Sequence, residues 1–206
     1  EKYEKYRKAI DLEYQIRTII NVQERNGFTL DVQKATCLQA KLSDKSSIIE
    51  EKLQDKYLPI TQERVSDKTG KRLKDKIIVF NPSSRQQIAA RLMQQGWQPD
   101  KFTPTGHPIV DEGTLKNVDI PEAKMIAEYL LLNKRTAQIK SWLELLEDDG
   151  KVHGKVLTLK AISGRMAHFG PNMAQVPAVY SPYGEQCRAC WSSSSPDRVL
   201  VGCDAS

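Results

Sequence analysis

Few residues of this chain have a type and spacing that could do chemistry, and the most telling stand at its end. There an apolar run, Val199-Leu200-Val201, leads through Gly202 and Cys203 to Asp204-Ala205-Ser206. A β-branched run closing on an acid predicts a buried strand that delivers a carboxylate to the edge of a sheet. The plain alternative is a C-terminal strand with a solvated Asp204. A buried strand needs neighbours and none follows Ser206, so the sequence reads as a chain cut or split just where chemistry would begin. Cys187 and Cys190 form a lone CxxC. A structural zinc site needs two further ligands at recognisable spacing, which Cys37, Cys203, His107, His153 and His168 do not offer, so the cysteines are read as incidental thiols. A third group is basic: six of the thirteen residues 64–76 are Arg64, Lys68, Lys71, Arg72, Lys74 and Lys76. Most such runs are solvated surface; a tip loop that contacts phosphate is the sharper reading.

The elements that would position these groups belong to a chain of 206 residues, long enough for one large domain or two small ones. Charged residues make up 28% and hydrophobic residues 39%, with a formal net charge of +5. That balance allows a polyanionic partner without requiring one. No apolar stretch approaches the roughly 18–20 residues of a membrane span, and the opening EKYEKYRKAI has no signal-peptide hydrophobic region, so a cytoplasmic location with no membrane partner is expected. Four cysteines in so polar a chain suit a reducing compartment.

The first half is helical by pattern. Ile10, Tyr14, Ile16, Ile19 and Ile20 recur at helical steps, and Asn26-Gly27 supplies a stop. Asp31 can cap a second helix running to about Tyr57, whose apolar positions Ala35, Leu38, Leu42, Ile49 and Leu53 recur near every 3.5 residues with Ser46 in the seam, a narrow surface for an antiparallel partner. Periodicity fails over residues 58–76, which read as an exposed basic loop with a Thr69-Gly70 turn, followed by a short extended run at 77–80. Asn81-Pro82-Ser83 can cap a helix from about 84 to 95, ended by Gly96. Residues 100–110 read as loop. A helix is expected from near Pro121, carrying Ile126, Leu130, Lys134, Ala137 and Leu143 towards Asp148. Asp149-Gly150 then turns into a strand over 152–159, and 161–185 reads as irregular backbone of a length that is often functional.

Motif order carries the functional reading. DGKVHG (149–154), SGRMAH (163–168), PNMAQVP (171–177), SPYGEQCR (181–188) and VGCDAS (201–206) follow one another, preceded by FNPSSR (80–85), TPTGHPIVDEGTL (103–115) and EYLLLNKR (128–135). In this order they resemble the family A DNA polymerases, of the bacterial DNA polymerase I kind, and the SPYGEQCR wording is most similar to the bacteriophage replicative branch. The resemblance implies an α+β fold: a mainly helical thumb of long antiparallel helices over residues 1–148, then the first strands and irregular loops of a palm over 149–206. It implies Asp204 as the first catalytic, metal-binding aspartate and the Ala205 carbonyl as a further ligand of a two-metal Mg2+ site. The second aspartate and the nucleotide-binding fingers of the family would lie beyond residue 206, in a missing C-terminal polymerase half. Primer–template DNA, and deoxynucleoside triphosphates in the complete enzyme, are the implied partners, in a phage-infected host cell.

The same resemblance implies duplex-gripping residues. Arg165 matches an arginine that reaches the minor groove, where N3 and O2 acceptors occur on every base pair. Asn172 and Gln175 match polar positions that contact primer–template. Ser83, Ser84 and Arg85 stand at a helix start suited to phosphate, and Lys134 and Arg135 match a basic position on a thumb helix. Structural alternatives stand beside these: Arg165 bracing a loop, Asn172 capping a turn, Ser83 serving only as an N-cap. Tyr180 departs from the family, which often has Arg there. The 58–76 segment is too short to resemble the long thioredoxin-binding insertion of some phage relatives, and no exonuclease motif appears. Rival readings are a stand-alone, sequence-independent duplex-binding module and a purely structural coiled coil; the latter leaves the motifs of 164–182 unexplained.

Overall fold

The structure is a computed structural model that describes residues 2–66, 68–195, 197–199 and 201. Its elements form two compact units, one of residues 41–136 and one of residues 1–40 with 137–206. The α+β class is as expected, but the expected division at residue 148 follows family anatomy and does not coincide with these contact units.

Unit 41–136 is built on two antiparallel helices. Helix α2, Val32–Lys56, enters this unit at residue 41, and α5, Pro121–Glu144, leaves it at residue 136. Their contacts run in opposite directions along the two sequences. Ser46 donates to Asn133 Oδ1 at 2.6 Å, the Tyr129 hydroxyl donates to Glu50 Oε2 at 3.2 Å, and Lys56 pairs with Glu122 at 3.0 Å. Leu42 and Leu53 on α2 are fully buried, as the 3.5-residue spacing requires. Helix α5 is apolar on more than one side, with Ala123, Ile126, Leu132 and Ile139 all fully buried.

Against this pair pack α3, Arg85–Gln94, and the short α4, Glu112–Lys116, which the sequence reading missed. Ile88 and Leu92 of α3 and Leu115 of α4 join one core with Leu53, Tyr57, Phe80 and Ile126. Tyr57 and Phe80 meet at 4.5 Å between ring centroids. Burial, helped by the Glu122 charge, pushes the Tyr57 hydroxyl up to about 12.

The expected basic loop over 58–76 is instead a two-stranded antiparallel hairpin, β2 (Ile60–Val65) and β3 (Arg72–Ile78). Its turn includes Gly70 at φ +62°, as the Thr69-Gly70 signal suggests. No face of it is apolar enough to give the alternation by which a strand is read, and a bulge between Gln62 and Arg64 breaks the register.

In the other unit, α1 (Lys2–Asn26) ends at Gly27, and a three-residue strand β1 (Phe28–Leu30) lies between β4 (Lys151–Val152) and β7 (Trp191–Ser192) in an antiparallel sheet. Asp31 caps α2 through its Oδ1, which accepts from the Lys34 N–H at 3.0 Å. The expected single strand over 152–159 is two: the ladder breaks at His153-Gly154, and β5 (Lys155–Leu157) pairs with β6 (Ala167–Phe169). A 3₁₀ turn, Met173–Gln175, and a short helix α6, Gly184–Arg188, interrupt the stretch expected to be irregular. Val199 and Val201, the described residues of the expected terminal strand, lie in no strand and are exposed.

The inward face of α1 also differs from expectation. Ile20 is 7% exposed, whereas Tyr14 and Ile19 are 71% and 67% exposed. Polar Arg17 and Glu24 share the inward side, which an apolar count does not find. Ile20→Ala is therefore expected to cost about 2–5 kcal/mol and Ile19→Ala about 0.5 kcal/mol or less, read from urea unfolding followed by tryptophan fluorescence. Equal costs would mean that the inward face has been misplaced.

Candidate nucleic-acid interface

The residues with implied DNA contacts fall on short connections in one unit and on helices in the other. Arg165 sits in the loop between β5 and β6, fully outside the ladder. The loop is closed by backbone bonds, Gly164 N–H to the Ala161 carbonyl at 2.9 Å and Ala161 N–H to the Arg165 carbonyl at 3.4 Å. The Arg165 side chain is exposed, and its guanidinium has no hydrogen-bond or ion-pair partner among the described residues. It does not brace the loop; the backbone does.

Asn172 and Gln175 flank the 3₁₀ turn. Asn172 precedes it without a side-chain cap, and its Oδ1 is buried with no partner. Gln175 is exposed, and its carbonyl accepts from Gln138 Nε2 of α5 at 2.6 Å. Gln138, which sequence reasoning missed, thus ties this segment to a helix while its own Oε1 stays buried and unpaired. A polar amide among the apolar residues of α5 was the available signal.

The segment is shaped further by close backbone packing. A Cβ on Gly184 would lie 1.8 Å from the Ala178 carbonyl oxygen, so only glycine fits where SPYGEQCR turns into α6. Arg188 Nε donates to the Pro177 carbonyl at 2.8 Å. Cys187 and Cys190 are buried, and desolvation, reinforced by the neighbouring Cys187, pushes the Cys190 thiol up to about 11. A thiol so raised is protonated and a poor nucleophile near neutral pH.

In the helical unit the Ser83–Arg85 group has structural partners. Ser84 is the N-cap of α3, with its hydroxyl accepting from the Gln87 N–H at 3.4 Å. The Ser83 and Tyr129 hydroxyls are 3.3 Å apart, and an Arg85 guanidinium N–H donates to the Val110 carbonyl. Lys134 is exposed on α5, whereas Arg135 is only 8% exposed. Asp204 and Ala205 lie outside the described residues. Among the described residues there is no cluster of three or more His, Cys, Asp or Glu that could hold a metal.

His153 anchors the strands that carry the Arg165 loop. Its Nδ1 lies 2.7 Å from the Glu24 carbonyl and its Nε2 lies 3.0 Å from Asp149 Oδ2. Both partners are acceptors, so both ring nitrogens must donate, and the site favours the imidazolium. The Glu24 carbonyl, followed by Asp149, raises the His153 pKa above 6.5 against the opposing effect of burial. Burial alone would raise the Asp149 carboxyl, but hydrogen bonds from His153 and the Lys151 N–H hold it below the usual range. Glu24 is lowered by the Val156 N–H, then by Arg17, which bonds it at 2.9 Å and also donates to the Val156 carbonyl at 2.8 Å. A Cβ on Gly27, at φ +60°, would lie 2.7 Å from the His153 ring.

Residues 49–206 match the family model for DNA polymerase family A, and the chain belongs to that family. It is 33% identical to the DNA-directed DNA polymerase of Escherichia phage T7 over an alignment covering 90% of this chain and 35% of that protein. With the corresponding polymerase of Enterobacteria phage T3 it shares 47% identity, over 56% of this chain and 18% of that one. In fold it is similar to the POL domain of Pol1 from M. smegmatis, solved in complex with DNA primer-template and dNTP. That likeness has a TM-score of 0.69 at 16% identity, covering 87% of this chain and 29% of that chain. The chain spans about a third or less of the length of these proteins. No helix among the described residues is long and apolar enough to cross a membrane.

Since folding raises the His153 pKa, the stabilisation it gives is fully present below the unfolded value of 6.5 and is lost as pH rises through the folded value. The difference in thermal midpoint between wild type and His153→Gln is expected to be largest below pH 6.5 and to shrink as the pH rises above it. A difference independent of pH would show that the bridge works without its charge.

Proposed function

We propose that this chain is the thumb (residues 1–148) and the beginning of the palm (149–206) of a template-directed DNA polymerase acting in DNA replication in the host cytoplasm. Its described part grips the primer–template duplex. The observation that carries the reading is Arg165: an exposed, unpartnered guanidinium on a loop held by its own backbone, in a chain whose sequence matches the family from residue 49 onward. A long cationic donor suits the minor-groove acceptors shared by all base pairs, so it senses pairing geometry and not sequence.

Asn172 and Gln175 add polar contacts to the primer–template, with Gln138 fixing their segment through the Gln175 carbonyl. Lys134 supplies a cation on α5. Arg135, being buried, reaches a phosphate only if its surroundings move, and the Ser83–Arg85 group offers exposed Ser83 and the α3 backbone beside its structural bonds. Asp204 and the Ala205 carbonyl are hard oxygen donors, the type that Mg2+ takes, so the donor chemistry fits part of a coordination shell. When bound, a pair of such ions supplies the charge that activates a primer 3′ hydroxyl and stabilises departing pyrophosphate. Other donors and the deoxynucleoside triphosphate site belong to the rest of the polymerase.

Arg165→Ala is expected to weaken binding of the 206-residue chain to primer–template by about 1–3 kcal/mol, with equal loss across duplex sequences, measured by fluorescence anisotropy at fixed salt. Unchanged affinity would remove Arg165 from the interface. Failure of the chain to bind any primer–template at low salt would sink the duplex-gripping reading.

A further inference from the structure

We propose that the outer face of the β5–β6 hairpin is a packing surface for the remainder of the polymerase; this rests on the polymerase reading above and names where the rest of that enzyme meets this unit. The register sorts the two faces of the hairpin. Lys155 stands opposite Phe169, Val156 opposite His168 and Leu157 opposite Ala167. Residues directly opposite share a face, and neighbours along a strand alternate. Val156, 2% exposed, therefore marks the face turned to the core, with half-buried His168 beside it. Lys155, Leu157, Ala167 and Phe169 lie on the outer face.

An antiparallel hairpin packed on one side usually turns polar residues to solvent on the other. Here three of the four outward positions are apolar, and Leu157 and Phe169 are 42% and 48% exposed. Leu159 in the adjoining loop is exposed further still. Apolar surface gathered in this way marks a place where protein is covered by protein. A duplex would find little charge to meet here, since Lys155 is the one cation of the four and Glu24 lies within reach of it.

The hairpin can gain a strand on one side only. The Val156 N–H donates to Glu24 Oε1 at 2.8 Å, and the Val156 carbonyl accepts from Arg17 at 2.8 Å, so α1 side chains close the β5 edge. Because both Val156 groups point away from β6, Val156 and His168 form a non-hydrogen-bonded pair, and the His168 N–H and carbonyl point away from β5 in turn. No described residue bonds them. An open edge at β6 and an uncovered apolar face thus belong to the same short sheet. Length names the occupant: this chain covers 35% of the phage T7 polymerase and 29% of the Pol1 chain, so such enzymes bring more further chain than these 206 residues contain.

Hydroxyl-radical footprinting read by mass spectrometry tests this, comparing the 206-residue chain with a chimera in which it replaces its aligned region in the phage T7 polymerase. Phe102, 54% exposed in the other unit, is the internal reference for Phe169. In the chimera Phe169 is expected to oxidise about fivefold more slowly relative to Phe102 than in the isolated chain, as it becomes buried, with Leu157 protected alongside. Equal ratios in a chimera that binds primer–template overturn the inference and leave the polymerase reading standing. A chimera with no cooperative thermal transition also overturns it, because the T7 remainder then finds no face to pack on. Protection of Phe169 in the isolated chain, on raising its concentration or on adding primer–template, overturns it too, since a second copy or the duplex then covers the face. Protection in a chimera that binds no primer–template keeps the surface and removes the duplex-gripping reading.

Discussion

The imidazolium of His153 is the interaction on which the unit carrying Arg165 depends. One ring closes two separations in sequence at once: standing at the break between β4 and β5, it holds the C-terminal turn of α1 through the Glu24 carbonyl and the turn before β4 through Asp149. Gly27 is required because the ring occupies the space a side chain would need. Arg17 and Glu24 continue the bridge to the Val156 backbone, so β5 is fixed to α1 by charge-assisted bonds rather than by a wide apolar contact. The exposed loop bearing Arg165 is consequently short, backbone-closed and mounted on an anchored strand.

The helical unit solves its problem differently. The α2–α5 pair combines buried leucines with a ladder of polar contacts, Ser46 to Asn133, Tyr129 to Glu50 and Lys56 to Glu122. Apolar burial supplies most of the driving force, while a serine in the seam, satisfied by an asparagine opposite, fixes one register among those that leucines alone would allow. The Tyr57–Phe80 contact and the fully buried Leu92 and Leu115 then close the core beneath α3 and α4.

Much of this was legible. Asp31 announced its helix because an N-cap is local chemistry, the cap of α3 falls on Ser84, one residue past the expected Ser83, and the α2 seam was visible because its period is set by burial along one helix. What escaped was fixed by tertiary contact or by brevity. Three-residue β1 and five-residue α4 are too short to repeat their periods twice. At the break between β4 and β5, Gly154 leaves room for its neighbours: a Cβ there would lie 2.7 Å from Met173 Cγ and 3.1 Å from the Pro171 carbonyl. The inward face of α1 was misread because Arg17 and Glu24 are inside by virtue of partners more than a hundred residues away. For the candidate interface the type and order of residues propose Arg165, Asn172 and Gln175, and their exposure or burial is what the structure adds. Gln138 stood out only as a polar amide among the apolar residues of α5; its bond to the Gln175 carbonyl and the burial of Arg135 are set by tertiary contact and leave no local pattern.

The bulge in the hairpin acts through parity. Paired without it, with Gln62 still opposite Lys76, the strands would align Arg64 with Lys74 and Val65 with Leu73, and Arg72 would fall on the side of Lys76. Arg64, Arg72, Lys74 and Lys76 would then crowd one side, while Glu63 and Asp75 repelled each other on the reverse. One supernumerary residue in β3 carries Arg72 across to the acids. The ribbon's division into a neutral side and a cationic side is thus a property of counting, and it would survive exchange of one lysine for another far better than the gain or loss of a single residue.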